Sequence, residues 1–270
     1  MRSHFLFNTM SKTEKELAYL HGLYVDNEWI PRFSDLFDKH YKSSSEETFL
    51  YLNSGVGTHA ISLREKLDKD TQLFAVCETK EFQKIAQAKV EATKADVDFS
   101  TSKPYAESDF VLVDSSLVKH AYLKNFLSDS FALSKNKISF FVATAGSYGE
   151  IFSYLWEVLN ESDLSEKTGE IEKLIKALPT VSDVKDMAKT LGVANVRAET
   201  KNEIFEFETG KDFIESPLIK YFLSQFWLEF LEPKEKEQVL KNLALKIDDE
   251  LERLSFRFSI KATVIFGEKS

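Results

Sequence analysis

Two glycines, Gly55 and Gly57, close a short apolar run, Phe49-Leu50-Tyr51-Leu52, with Asn53 and Ser54 between. A G-x-G pair after a strand allows a tight turn and lets a ligand approach the backbone closely, because neither position carries a Cβ. A helical segment follows, and about twenty residues on a second apolar run, Leu73-Phe74-Ala75-Val76, ends beside Cys77 and Glu78. An acid at that strand end can accept hydrogen bonds from ligand hydroxyls; its plain reading is a solvated loop acid. Asp114 ends another run, Phe110-Val111-Leu112-Val113, at the strand edge where open α/β sheets place ligands, or else it caps the next helix. His59 and His120 are the candidate bases, and the alternative for each is a water-facing or half-buried histidine. Cys77 reads as a small packed residue, since no activating partner is visible. The five His show no H-E-x-x-H or other ligand spacing, so no metal site is expected. There is no G-x-S-x-G elbow and no G-x-x-x-x-G-K-[ST] loop, which argues against a serine hydrolase and a phosphate-loop NTPase.

The elements that must position these residues alternate. Glu16–Tyr24 puts Leu17, Leu20, His21 and Tyr24 on one helical face, and Pro31 opens a second helix carrying Phe33, Leu36, Phe37, His40 and Tyr41. Short buried runs at 48–52, 73–76, 97–99, 110–113 and 138–142 then alternate with helical stretches. That pattern means a parallel sheet with helices on both faces. After the fifth run the chain turns helical through 148–159 and 169–178, and a capping box at Thr180–Asp183 opens a helix running to Leu191. Residues 196–207 hold one or two strands. A very apolar helix is expected over 212–231, an amphipathic one over 235–254. The last segment, 256–266, alternates cleanly and must return beside an existing strand, antiparallel to the preceding one.

At this point the chain resembles the class I S-adenosylmethionine-dependent methyltransferases, over about residues 48–266. The family's first motif is an apolar strand, an acid, then G-x-G-x-G. Gly55 and Gly57 match its first two glycines, Asn53 stands at the acid and His59 at the third glycine. The resemblance implies an α/β, doubly wound, mostly parallel seven-stranded sheet, with the last strand antiparallel between the fifth and sixth. Helical additions precede the first strand and follow the fifth. It implies one domain over 1–270, made of a cap (1–47), a cofactor-binding half (48–146), a helical insert (147–192) and a C-terminal part (193–270). It further implies S-adenosylmethionine as cofactor, held by Asn53, Gly55, Gly57, Glu78 and Asp114, and methyl transfer to a small molecule. The family's ribose-binding acid aligns on Cys77, and a shift of one residue brings in Glu78. Tyr24 and Trp29 are candidates for a lid or substrate pocket, with core packing as the plainer reading. Because Asn53, His59, Cys77 and Ser100 replace the family's usual residues, the alternative function is a binding or scaffold protein on the same fold without methyl transfer. A nicotinamide-dependent enzyme is a third reading of the G-x-G logic.

Composition bounds the partners. In 270 residues there are 23 Phe, 9 Tyr and 3 Trp, enough to bury a large core and exclude disorder. The net charge of −9 leaves no general attraction to nucleic acid or anionic membrane. A single Cys excludes an intramolecular disulfide and fits a reducing compartment, so a cytoplasmic location is expected. The first seven residues are too short an apolar stretch for a signal peptide, and Met10 is the expected natural start. Phe222, Phe226, Trp227 and Phe230 form a wide apolar face, either core or a substrate pocket or homodimer surface.

Overall fold

The computed structural model describes residues 12–104, 106–251 and 255–269, with side chains omitted at 250 and 251. The expected start at Met10 and the stretch before it lie outside the described residues. Helix α1 (Glu14–Leu20) opens on a capping box: Thr13 accepts from the Glu16 amide while the Glu16 carboxylate accepts from the Thr13 amide. It runs directly into a nine-residue π-helix, His21–Trp29. Pro31 then starts α2 (Pro31–His40), where its missing N–H costs nothing. The chain continues through β1 (Thr48–Leu52), α3 (Thr58–Arg64), β2 (Gln72–Val76), α4 (Lys80–Thr93), β3 (Asp98–Ser100), β4 (Ser108–Asp114), α5 (His120–Phe131) and β5 (Ser134–Thr144). There follow α6 (Gly149–Asn160), α7 (Thr168–Ala177), α8 (Val181–Thr190), β6 (Val193–Phe207), α9 (Gly210–Glu215), a second π-helical stretch (Leu218–Leu223), α10 (Ser224–Trp227), α11 (Pro233–Leu251) and β7 (Phe256–Lys269). One expectation changes in detail: the apolar helix over 212–231 is broken into three pieces, with Pro217 at the break. Of the one or two strands expected over 196–207, the structure has one, β6.

The seven strands form one sheet in the order β3-β2-β1-β4-β5-β7-β6, mostly parallel with the last strand antiparallel. β1 pairs parallel with β2 on one side and with β4 on the other. The chain therefore winds outward from β1 in one direction and then reverses through β4 and β5. The crevice at the carboxyl ends of β1 and β4 is the switch point where doubly wound sheets bind ligands.

The fold packs as two compact units. One comprises Met1–Val142, Val181–Lys201 and Ala262–Ser270, and the other Ala143–Thr180 and Asn202–Lys261. In the first unit the two-residue period of the strands sorts the core into two layers. Leu50, Leu52, Val111, Val113, Ile138 and Phe140 meet Leu123, Leu127 and Phe131 of α5 and Val184 and Ala188 of α8 on one face. On the other face α2 sets Phe37 among aromatic rings, 6.2 Å from Phe110, 6.0 Å from Phe141 and 5.6 Å from Phe266. The second unit has its own aromatic core, in which Trp227 packs at 5.4 Å from Tyr148 and 6.3 Å from Phe258. Phe222 and Trp227 are buried, which is the core reading of that apolar face.

Candidate functional site

The glycine loop leaves β1 in left-handed backbone conformations: φ is +56° at Asn53, +58° at Gly55 and +82° at Gly57. At Gly57 a side chain is barred twice, by the backbone sign and by Phe99, whose Cζ would lie 2.5 Å from a Cβ. The loop is tied down on both sides. The Ser54 amide donates to the carbonyl of Val76 at 3.0 Å, and the Asn53 side-chain amide donates to the carbonyl of Asp114 at 3.0 Å. Asn53 thus bridges the carboxyl ends of β1 and β4 across the switch point.

Two of the sequence-predicted acids converge there. Glu78, half-buried just past β2, accepts from the Gly55 amide at 3.1 Å. Cys77 turns away: it is buried, its sulfur lies 3.6 Å from Ser54 Oγ, and burial pushes its thiol up to about 12. Asp114, at the end of β4, accepts from the Ser116 amide at 2.9 Å and the Ser116 hydroxyl at 2.6 Å. Burial outweighs those hydrogen bonds and holds its carboxyl above the usual range. Burial also pushes Glu78 up to about 7, against the pull of His21, with Asp114 and Asp26 adding to the rise.

Helical periodicity did not reveal the other half of the site. The π-helix lies directly on the glycine loop. A Cβ on Gly55 would sit 2.6 Å from the His21 ring and 2.9 Å from Asp26 Oδ1, and one on Gly22 would sit 3.1 Å from Val56 Cγ2. His21 and Asp26 form an ion pair of 2.9 Å, both almost fully buried. Asp26 also accepts from the Thr58 amide at 3.3 Å and lies 3.8 Å from Lys89 Nζ. Burial opposes both charged forms, but the pairing prevails: the imidazole is held above the ordinary histidine range and the Asp26 carboxyl below its own. In an α-helix, five residues place two side chains about 140° apart; in a π-helix, i→i+5 hydrogen bonds stack them. Helical spacing at 3.6 residues per turn pairs His21 with Tyr24. The π-turn instead buries His21, Val25, Asp26 and Trp29. The only signal was the His21–Asp26 spacing of five, and nothing in the sequence marks that turn as π.

Trp29 is fully buried and donates its indole N–H to Ser116 Oγ at 2.9 Å, joining the π-helix to the Asp114 turn. Tyr24 is half-buried. His59 does not face water. Its Nδ1 lies 3.0 Å from the Tyr51 hydroxyl and its Nε2 3.2 Å from Asp38, which also pairs with Lys66. Both ring nitrogens are engaged. His120 opens α5, and its buried Nε2 has no hydrogen-bond partner among the described residues. Burial holds His120 below the ordinary histidine range, so it is neutral at pH 7. Among the described residues no group of three or more His, Cys, Asp or Glu could hold a metal ion, and no helix is long and apolar enough to cross a membrane.

No protein-family model and no curated protein matches the sequence. Solved structures do match. The YcgJ protein from Bacillus subtilis is 14% identical, with a TM-score of 0.54 over 87% of this chain and 97% of its own. A protein structure from Bacillus halodurans, also 14% identical, gives 0.51 over the same shares of the two chains. Phosphoethanolamine N-methyltransferase 2 of Haemonchus contortus, solved with phosphomonomethylethanolamine and S-adenosylhomocysteine, is 13% identical, with a TM-score of 0.54 over all of this chain and 61% of its own. The chain has the class I methyltransferase fold.

Proposed function

We propose that the protein binds S-adenosylmethionine at the Gly55–Gly57 loop and transfers its methyl group to a small-molecule acceptor. The observation that carries this reading is the convergence of Glu78 and Asp114 on the glycine loop at the switch point between β1 and β4. The donor set suits the cofactor. Asp26, Glu78 and Asp114 gather three carboxyl groups around one buried imidazole, which favours a ligand carrying positive charge. Gly55 and Gly57 are the loop positions that would meet its amino-acid part, and Glu78 would be the acceptor for its ribose hydroxyls. When bound, the cofactor supplies an electrophilic methyl group on a sulfonium sulfur. The protein's share is alignment and exclusion of water, which supply much of the acceleration in such displacements. His120, neutral and with its Nε2 unengaged among the described residues, would take the acceptor's proton where the acceptor carries one. The net charge of −9 supports a small acceptor over a nucleic acid.

Calorimetric titration with S-adenosylmethionine and S-adenosylhomocysteine tests the reading. Heat of binding is expected with both, and Glu78→Ala should weaken it about ten- to a hundred-fold, as loss of a charge-assisted hydrogen bond does. No heat and no thermal shift at millimolar ligand would overturn it. One observation favours a second reading, a scaffold on this fold without methyl transfer: the chain's own His21 and Asp26 lie against the glycine loop. Protein purified with an adenosyl compound attached, detected by mass spectrometry after denaturation, would count against that reading.

A further inference from the structure

We infer that the π-helix His21–Trp29 is a built-in competitor for the cofactor, so that the adenosyl ligand binds only when this segment leaves the glycine loop. The inference rests on the function proposed above. Its basis is what the segment places there. His21 and Asp26 bring a cation and an anion 2.9 Å apart against Gly55. An amino acid carries the same pair of charges at its ammonium and carboxylate. Asp26 takes up the Thr58 amide and faces Lys89, while His21 answers Glu78 and Asp114. The loop and its acids are thereby satisfied by the chain itself. The fit also leaves no room: both side chains lie within 3 Å of the place a Gly55 Cβ would occupy.

Besides the Asp26 contacts to Thr58 and Lys89, the segment is held by further side-chain contacts. His21 stacks obliquely on Phe82 of α4 with ring centroids 4.7 Å apart. Gly22 packs on Val56, and Trp29 hangs on the Ser116 hydroxyl. A long π-helix is a rare conformation that recurs at functional sites. Here it is the turn that stacks Asp26 onto His21. A segment that is off the loop about 1% of the time weakens apparent ligand affinity about a hundred-fold relative to the open form.

A reversible lock tests this. In a Cys77→Ser background, Gly22→Cys with Val56→Cys places two thiols where a disulfide can close between the π-helix and the loop. Oxidised, this protein should bind S-adenosylhomocysteine at least about a hundred-fold more weakly than the same protein after dithiothreitol. Equal affinity in the two states would overturn the inference and leave the methyltransferase reading standing. Two measurements without the crosslink guard against a folding defect. In the wild type, saturating S-adenosylhomocysteine should speed amide hydrogen exchange across residues 21–29; protection there would mean a lid that closes over the ligand, not a competitor. His21→Ala with Asp26→Ala should tighten binding, and weaker binding would show that the pair belongs to the ligand's own site. If the wild type takes up no ligand but this double variant does, the competitor is confirmed in its strongest form. If neither binds, the proposed function fails and the inference falls with it.

Discussion

Glu78 sits in an environment that its position in the sequence does not suggest. Its ordinary carboxyl value is 4.5, and burial lifts it to about 7 in the folded chain. The folded state therefore resists ionising a group that ionises freely when unfolded. Stability is unaffected by this group below about pH 4.5, falls as pH rises toward 7, and is flat above. Glu78→Gln keeps an acceptor for the Gly55 amide and cannot ionise. Its melting temperature should equal the wild type's at pH 4.5 and exceed it at pH 8, as read by differential scanning calorimetry at both. His120 gives a kinetic prediction. His120→Ala should lower kcat about a hundred-fold or more, the usual worth of a general base, while leaving the S-adenosylhomocysteine Kd unchanged. An equal loss in Kd would make it a ligand contact instead. Of the residues singled out in the sequence, Gly55, Gly57, Glu78 and Asp114 could be placed at the switch point because strand-end position in a doubly wound sheet specifies where they lie. His21 and Asp26 could not, because their alignment depends on the pitch of a helix.

At the scale of elements, α2 shows how one helix fixes the face behind the site. Phe37 is fully buried, stacks on Tyr41 at 5.0 Å and touches rings from β4, β5 and β7. Removing it leaves a cavity that rigid strands cannot close, so Phe37→Ala should cost about 3–5 kcal/mol in a urea titration. A loss below 1 kcal/mol would mean that α2 is not integral to the fold. Pro31, the G-x-G turn and the alternation of β7 were legible as elements because each rests on local stereochemistry. The two π-helical stretches were not, since what sets them is the packing of Leu218, Ile219 and Phe222 or of His21 and Trp29 into their own cores.

For the molecule as a whole, the sheet raises the question of cooperativity. β6 and β7 each supply residues to both compact units. We propose that the two units unfold together as one domain. Trp29 fluorescence, read in a Trp156→Phe, Trp227→Phe background, should trace the same urea transition as the far-ultraviolet ellipticity; two separated transitions would make them independent domains. The charge of −9 leads to a further expectation: no retardation of tRNA or duplex DNA by the protein at physiological salt.

By itself the sequence determined the fold class, the order of strands and helices, the glycine loop and the acids at the ends of β2 and β4. These follow from hydrophobic periodicity and backbone sterics, which act over a few residues and leave their mark in residue order. Tertiary structure alone decided what meets that loop. Whether Glu78 or Cys77 faces Gly55 depended on one residue of register at a strand end, and whether Asp26 reaches His21 depended on a helix widening from α to π. Both are settled by contacts between segments twenty or more residues apart, such as Gly55 with Glu78 and Asp26 with Thr58, which no local preference encodes.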